Sequence, residues 1–111
     1  MIGITYAYME DFTKAEKHFL EAISMKPENY EPYLNLGKML MTNQQFSQAE
    51  YYFKKVLDLF PNHLHALFSL GTINSEIGDE KKALRYFNKV LELDDGNEKV
   101  RGEIDLLLSK M

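Results

Sequence analysis

The sequence predicts an all-α fold made of repeated helix pairs, and three observations carry the prediction. Gly3, Gly37 and Gly71 stand 34 residues apart, as do Ala15, Ala49 and Ala83, and Phe19, Phe53 and Phe87. Pro27 and Pro61 keep the same interval, and Asp95 falls where a third proline would be. Between these markers, apolar residues recur at three- and four-residue spacing, which marks one face of a helix. A unit of this period cannot bury its apolar face alone and stacks on its neighbours along an axis.

The unit from Tyr30 to His63 is the most complete. Its first half carries Tyr33, Leu36, Met39 and Leu40 at helical spacing. Pro32 lies near the start, where a missing N–H costs nothing and φ is already helical. Asn43-Gln44-Gln45 interrupts the pattern. A second run follows, Phe46, Ala49, Phe53, Val56, Leu57 and Phe60, and Pro61-Asn62 stops it. The unit reads as two antiparallel helices joined by a short turn. Residues 64–97 repeat it. Leu67, Leu70 and Ile77 mark the first helix, and Gly78 supplies the left-handed residue that ends it. Asp79 is placed to cap the second helix. That helix carries Ala83, Leu84, Phe87, Val90, Leu91 and Leu93, and Asp95-Gly96 closes it. Gly37 and Ala49 are small where backbones approach, and Phe53 fills the wider gap beside them.

The two ends depart from the period. In the first unit, 1–29, counting back from Pro27 places roughly five residues of the first helix before Met1. This start reads either as a cut through a longer array or as a native beginning with a short first helix. Residues 98–111 form a final amphipathic helix with Val100, Ile104, Leu107 and Leu108 on one face, a pattern that suits a cap over the last unit.

The totals narrow the function classes. At 111 residues the chain has the length of one domain,. With 45% hydrophobic and 27% charged residues it has the balance of a globular protein rather than a disordered one,. The net charge of −4 and the absence of a long Lys/Arg cluster argue against a nucleic-acid surface,. There is no cysteine, which excludes disulfides, thiolate metal sites and cysteine nucleophiles,. No apolar run approaches the ~18 residues of a membrane helix. Met1 to Phe12 lacks the basic region of a signal peptide. A soluble, cytoplasmic protein is the expectation.

The markers together spell a known pattern. The middle unit reads Tyr33-x2-Leu36-Gly37-x2-Leu40, then Ala49-x3-Phe53, then Pro61. The third reads Leu67-x2-Leu70-Gly71-x2-Asn74, then Ala83-x3-Phe87, then Asp95. The first keeps Ile2-Gly3-x2-Tyr6, then Ala15-x3-Phe19, then Pro27. From Met1 to about Asn97 the chain resembles a tetratricopeptide repeat protein. The resemblance implies a right-handed α-solenoid of about three repeats: 1–29, 30–63 and 64–97, closed by the helix at 98–111. Against that pattern, Phe60 holds a position usually acidic in the family, and Asn74 replaces a large aromatic in the packing between helices.

The resemblance also implies a concave groove lined by the first helices. Its positions fall on Glu31, Leu34, Asn35, Lys38 and Met41 in the middle unit. In the third they fall on His65, Phe68, Ser69, Thr72 and Ser75, and in the first only on Ile4 and Ala7. Leu34 and Phe68 are apolar yet lie off the packing stripes of their helices, which fits a contact surface as well as partial burial between neighbours. Such a groove would hold an amphipathic or extended peptide, with apolar anchors for affinity and polar groups for register. The carboxylate clamp of chaperone-binding relatives is not reproduced. Only Asn35 matches it, Ile4 replaces an asparagine, and His65 and Ser69 stand where Lys and Arg are needed.

Nothing in the sequence points to catalysis, a cofactor or a metal. His63 and His65 at a helix start point in different directions, and no third ligand accompanies them. Glu76, Asp79 and Glu80, like Glu92, Asp94 and Asp95, fall at turns, where solvated capping charges are the ordinary reading. The expected function is noncatalytic binding of a protein or peptide partner, without nucleic acid or membrane. A second reading is self-association through an open first repeat exposing Ile2, Tyr6 and Phe12, or a role as structural segment or targeting module of a larger protein.

Overall fold

Three side chains 34 residues apart open three helices. The Asn29 side chain accepts a hydrogen bond from the Glu31 N–H at 3.1 Å, His63 Nδ1 accepts from Ala66 N–H at 3.2 Å, and Asn97 Oδ1 accepts from Val100 N–H at 3.0 Å. Each bond satisfies one of the free donors that a helix start leaves over. In the computed structural model, which describes residues 2–111 and side chains from Phe12 onward, these caps begin α2 (Tyr30–Thr42), α4 (Leu64–Glu76) and α6 (Glu98–Lys110). Between them run α1 (Ile2–Met25), α3 (Phe46–Leu59) and α5 (Glu80–Leu93). Asp79 caps α5 as its position predicts, accepting from Lys82 N–H at 3.2 Å.

The helix pairs turn where the chain enters the left-handed region. Gly78 has φ of +92°, and Gln44, one period earlier, has φ of +61°. The same register falls on Glu10. There the backbone does not turn: α1 is one continuous helix of 24 residues, where the repeat pattern predicts two. Glutamate favours helix and gains nothing from a left-handed conformation.

Two clusters of side chains form the core. Leu40, Phe53, Val56, Leu70 and Ile73 join α2, α3 and α4. Leu67, Phe87, Val90, Val100 and Leu107 join α4, α5 and α6. Within both, a phenylalanine ring lies against a glycine, Phe53 on Gly37 and Phe87 on Gly71. The radius of gyration is 15.4 Å, against about 13 Å for a compact domain of this length. The extents, 41 × 38 × 21 Å, show one thin dimension, equal to roughly two helix diameters of 10–12 Å.

Four apolar residues that the periodicity places on inner faces are exposed: Phe60 at 45%, Ile77 at 54%, Leu93 at 40% and Leu108 at 56%. Each stands at the end of its helix, where the neighbouring element no longer covers it. Phe12, expected on an open surface, packs against the α2–α3–α4 cluster and is half-buried.

Candidate functional site

Along the first helices of the pairs lies a cleft of about 390 Å³. From α2 it is lined by Lys38, Met41 and Thr42, and from α4 by His65, Phe68, Ser69 and Thr72. From α6 it is lined by Lys99. Helical spacing explains the set: Lys38 and Met41, and His65, Phe68 and Thr72, are three or four apart and share one face. Thr72 turns its hydroxyl back to donate to the Phe68 carbonyl at 3.1 Å. Ser69, which also lines the cleft, is buried.

The cleft therefore brings together six of the residues read from sequence, Lys38, Met41, His65, Phe68, Ser69 and Thr72. Glu31, Leu34, Asn35 and Ser75 do not line it. Glu31 and Asn35 are exposed nearer the start of α2, and Ser75 is half-buried near the end of α4. Leu34 is half-buried against the core. Phe68 is half-buried too, its ring centroid 5.5 Å from that of Phe87. The two apolar groove positions thus serve packing as well as surface. Ile4 lies outside the residues whose side chains are described.

Two contributions were not read from the sequence. Thr42 extends the α2 side, and Lys99 reaches in from the helix read only as a cap. The Lys99 Nζ stands 4.8 Å from the centroid of the Phe68 ring, a cation–π distance,. The signal for Lys99 was present in the period. It follows His65 by 34 residues, as His65 follows Glu31, so α6 continues the groove register of α2 and α4.

The electrostatics of the cleft are one-sided. Partial burial holds His65 below the usual imidazole value, and Lys38, His63 and Lys99 push it in the same direction. His63 is lowered as well, first by burial and then by Lys38, with a hydrogen bond at its own backbone opposing. Its Nδ1 accepts from Ala66 N–H, which requires that nitrogen to be unprotonated,.

A second, shallower cleft of about 320 Å³ is lined by Tyr30, Phe60, Asn62, His63, Leu64 and His65. Phe60 is 45% exposed. Its ring meets Tyr30 at 5.5 Å and His63 at 5.4 Å, edge to face. The unusual phenylalanine is thus the centre of an aromatic corner at the α3–α4 turn. Asn74 is fully buried. Its Nδ2 donates to Glu50 Oε2 at 3.0 Å and to the Leu70 carbonyl at 2.8 Å. The carboxylate clusters sit at turns as read. Asp79 is a cap, and Asp94 accepts from Asn97. Among the described residues, no group of three or more His, Asp or Glu side chains could hold a metal ion. No described helix is long and apolar enough to cross a membrane.

Stacked helix pairs whose first helices share a side-chain-lined cleft define an α-solenoid. The chain belongs to the tetratricopeptide repeat family, which matches residues 30–95 and, separately, 1–29. A comparison with curated protein sequences returns no match. Solved structures share the fold. One is the first TPR of Spaghetti (RPAP3) bound to the HSP90 peptide SRMEEVD, with TM-score 0.84 and 18% identity over 97% of this chain and 86% of that one. MamA gives TM-score 0.84 and 24% identity over 99% of this chain and 60% of that one. The Arabidopsis OM64 TPR domain gives 0.83 and 23% over 98% and 90%. The chain thus spans less than two thirds of the MamA structure.

Proposed function

We infer that this chain is a noncatalytic protein-interaction scaffold that holds a peptide or a partner helix in the cleft along α2, α4 and α6. The observation that carries the reading is the convergence in one cleft of an apolar floor, Met41 and Phe68, with the polar groups of Lys38, His65 and Thr72. An apolar floor supplies affinity, and a few fixed polar groups set register. The stacked helices hold that surface in shape before a partner arrives, which lowers the ordering cost of binding. The Spaghetti domain, similar in fold, was solved with a peptide bound, and this supports the class of ligand without naming the partner. The repeat boundaries at 29/30, 63/64 and 97/98 belong to the same reading.

The experiment is selection of peptides from a displayed random library, followed by NMR mapping of a selected peptide on the labelled protein. Shifts concentrated on Lys38, Met41, His65 and Thr72 are the expected result. Shifts centred on Tyr30 and Phe60 would move the site to the aromatic corner, and failure to select any peptide would count against a recognition module. The self-association reading rests on Ile2 and Tyr6, whose side chains lie outside those described. A sedimentation series across concentration tests it directly.

A further inference from the structure

Three aromatic rings meet at the α3–α4 turn, each touching the other two. Tyr30 stands 5.1 Å from His63 and 5.5 Å from Phe60, and Phe60 stands 5.4 Å from His63, all edge to face. Among the described residues no other three rings meet in this way. The repeat does not require them. One period after Phe60 stands Asp94, and one period before it Lys26. One period after Tyr30 stands Leu64. His63 caps α4 through Nδ1, yet Asn29 and Asn97 cap the equivalent helices through an amide oxygen. Capping therefore accounts for an asparagine at position 63, not for an imidazole ring. The aromatic character is confined to one junction, and Phe60 is exposed there.

The corner is held in shape before any ligand arrives. The Phe60 carbonyl accepts from the His63 N–H at 3.1 Å, which closes the turn, and the cap fixes the imidazole from its other side. With Asn62, Leu64 and His65 the three rings line the shallow cleft of about 320 Å³. No Lys, Arg, Asp or Glu lines it, in a chain with 27% charged residues. Burial holds both imidazoles toward the neutral form, and Lys38 acts on each in the same direction. A cationic occupant therefore meets repulsion, an anionic one finds no fixed cation in the lining, and an uncharged one is the complement.

The polar groups of the lining are rich in donors. With Nδ1 engaged as an acceptor, a neutral His63 carries its proton on Nε2,. The Tyr30 hydroxyl and the Asn62 amide can donate as well. The matching ligand brings apolar rings and carbonyls that nothing else has claimed. A polyproline II segment has both: it makes no internal hydrogen bonds, it is already extended, and aromatic-lined grooves receive it at low entropic cost. A helix, by contrast, spends its carbonyls internally.

We propose that the aromatic corner is a docking site for a proline-rich segment in the polyproline II conformation, whose pyrrolidine rings pack on Tyr30 and Phe60 while its carbonyls accept from Asn62 and His63. Tyr30 and Phe60 do not line the cleft along α2, α4 and α6, so the inference stands apart from the groove reading, and either can fail without the other.

The test uses fluorescence anisotropy with a short oligoproline, labelled with fluorescein at its N-terminus and amidated at its C-terminus. A glycine–serine peptide of equal length and a leucine-rich amphipathic helical peptide are the controls. The oligoproline is expected to bind more tightly than either, with little change as salt rises. Phe60→Asp and Tyr30→Leu take the residues of the next period and so suit the repeat. Each should weaken binding about tenfold, the scale of removing one aromatic anchor. His63→Asn keeps a capping acceptor and should weaken it too. Lys38→Gln and Met41→Ala, in the other cleft, should leave it unchanged. Circular dichroism confirms that each variant is folded. Weakening by Met41→Ala as large as that by Phe60→Asp would place the segment in the groove and overturn this site. Tighter binding of the helical peptide overturns the choice of ligand. Variants that melt earlier but bind oligoproline as wild type does would leave the rings a structural role only. Self-association in sedimentation that Phe60→Asp abolishes, without oligoproline binding, gives the corner to a second copy. Absence of oligoproline binding up to millimolar concentration sinks the proposal, while the peptide selection above judges the groove separately.

Discussion

The ring of Phe87 occupies the space where Gly71 would carry a side chain: a Cβ on Gly71 would stand 2.5 Å from Phe87 Cε1. One unit earlier the same pair is looser, with a Cβ on Gly37 2.9 Å from Phe53 Cζ. Both rings are fully buried and have nowhere to retreat. Alanine in place of a helical glycine gains about 1 kcal/mol of propensity, and overpacking a core costs about 1–3 kcal/mol. The balance therefore differs between the two sites. Gly71→Ala is expected to lose about 1–2 kcal/mol in urea unfolding, whereas Gly37→Ala should be close to neutral. Equal effects at the two positions would show that the contact is not the determinant.

The turn residues invert this logic. Gly78 has nothing within 4 Å of a built Cβ, so its requirement is backbone conformation alone. Gln44 holds the equivalent position with φ of +61° and a side chain. A left-handed non-glycine residue costs about 1–2 kcal/mol, part of which glycine returns as unfolded-state entropy. Gln44→Gly should raise stability by about 0.5–1 kcal/mol, and Gly78→Ala should lower it by about 1 kcal/mol. Thermal unfolding of the two variants checks both signs.

The repeat period made most of this architecture legible. Gly37, Ala49, Phe53 and their copies are constrained by close backbone approach, which leaves few residue choices and so a visible pattern. The caps were partly legible. Asp79 is an ordinary capping residue, but His63 accepts through a ring nitrogen and shows itself only through its register with Asn29 and Asn97. The cleft was legible on α2 and α4 because their register is strong. Lys99 was missed because α6 looks like an end, and an amphipathic cap and the first helix of a further unit share the same apolar pattern. The continuity of α1 was not legible either, since a turn that needs one left-handed residue leaves only a weak trace when that residue is not glycine.

Asn74 tests how much a buried polar group costs here. Its Nδ2 has two acceptors, but its Oδ1 is buried with no partner. An unsatisfied buried acceptor costs about 1–3 kcal/mol. Glu50 would keep Lys54 and Lys82 if the amide were removed. Asn74→Leu, which keeps the branching and the number of side-chain heavy atoms, should therefore stabilise by about 1 kcal/mol, and Asn74→Ala should destabilise by about 1–2 kcal/mol through the cavity it leaves. Destabilisation by leucine as large as that by alanine would mean that the bond to Glu50 outweighs the orphaned oxygen.

The two histidines give the fold a pH dependence with a definite sign. His63 and His65 are both held below their unfolded value by burial first, and both are pushed further by Lys38, with His63 and Lys99 adding to the effect on His65. Just below the unfolded value of about 6.5, the unfolded chain binds more protons than the folded one. Stability in that window therefore rises with pH. The contribution is complete above the unfolded value and is lost as pH falls through the lowered folded values. His63 has an additional reason to resist the proton, because protonation of Nδ1 would remove the acceptor that caps α4,. The double variant His63→Asn, His65→Gln keeps a capping acceptor and removes both titrations. Urea unfolding at a series of pH values from about 7 to about 5 should show wild type losing stability faster than the variant. Parallel profiles would mean that neither imidazole is linked to folding.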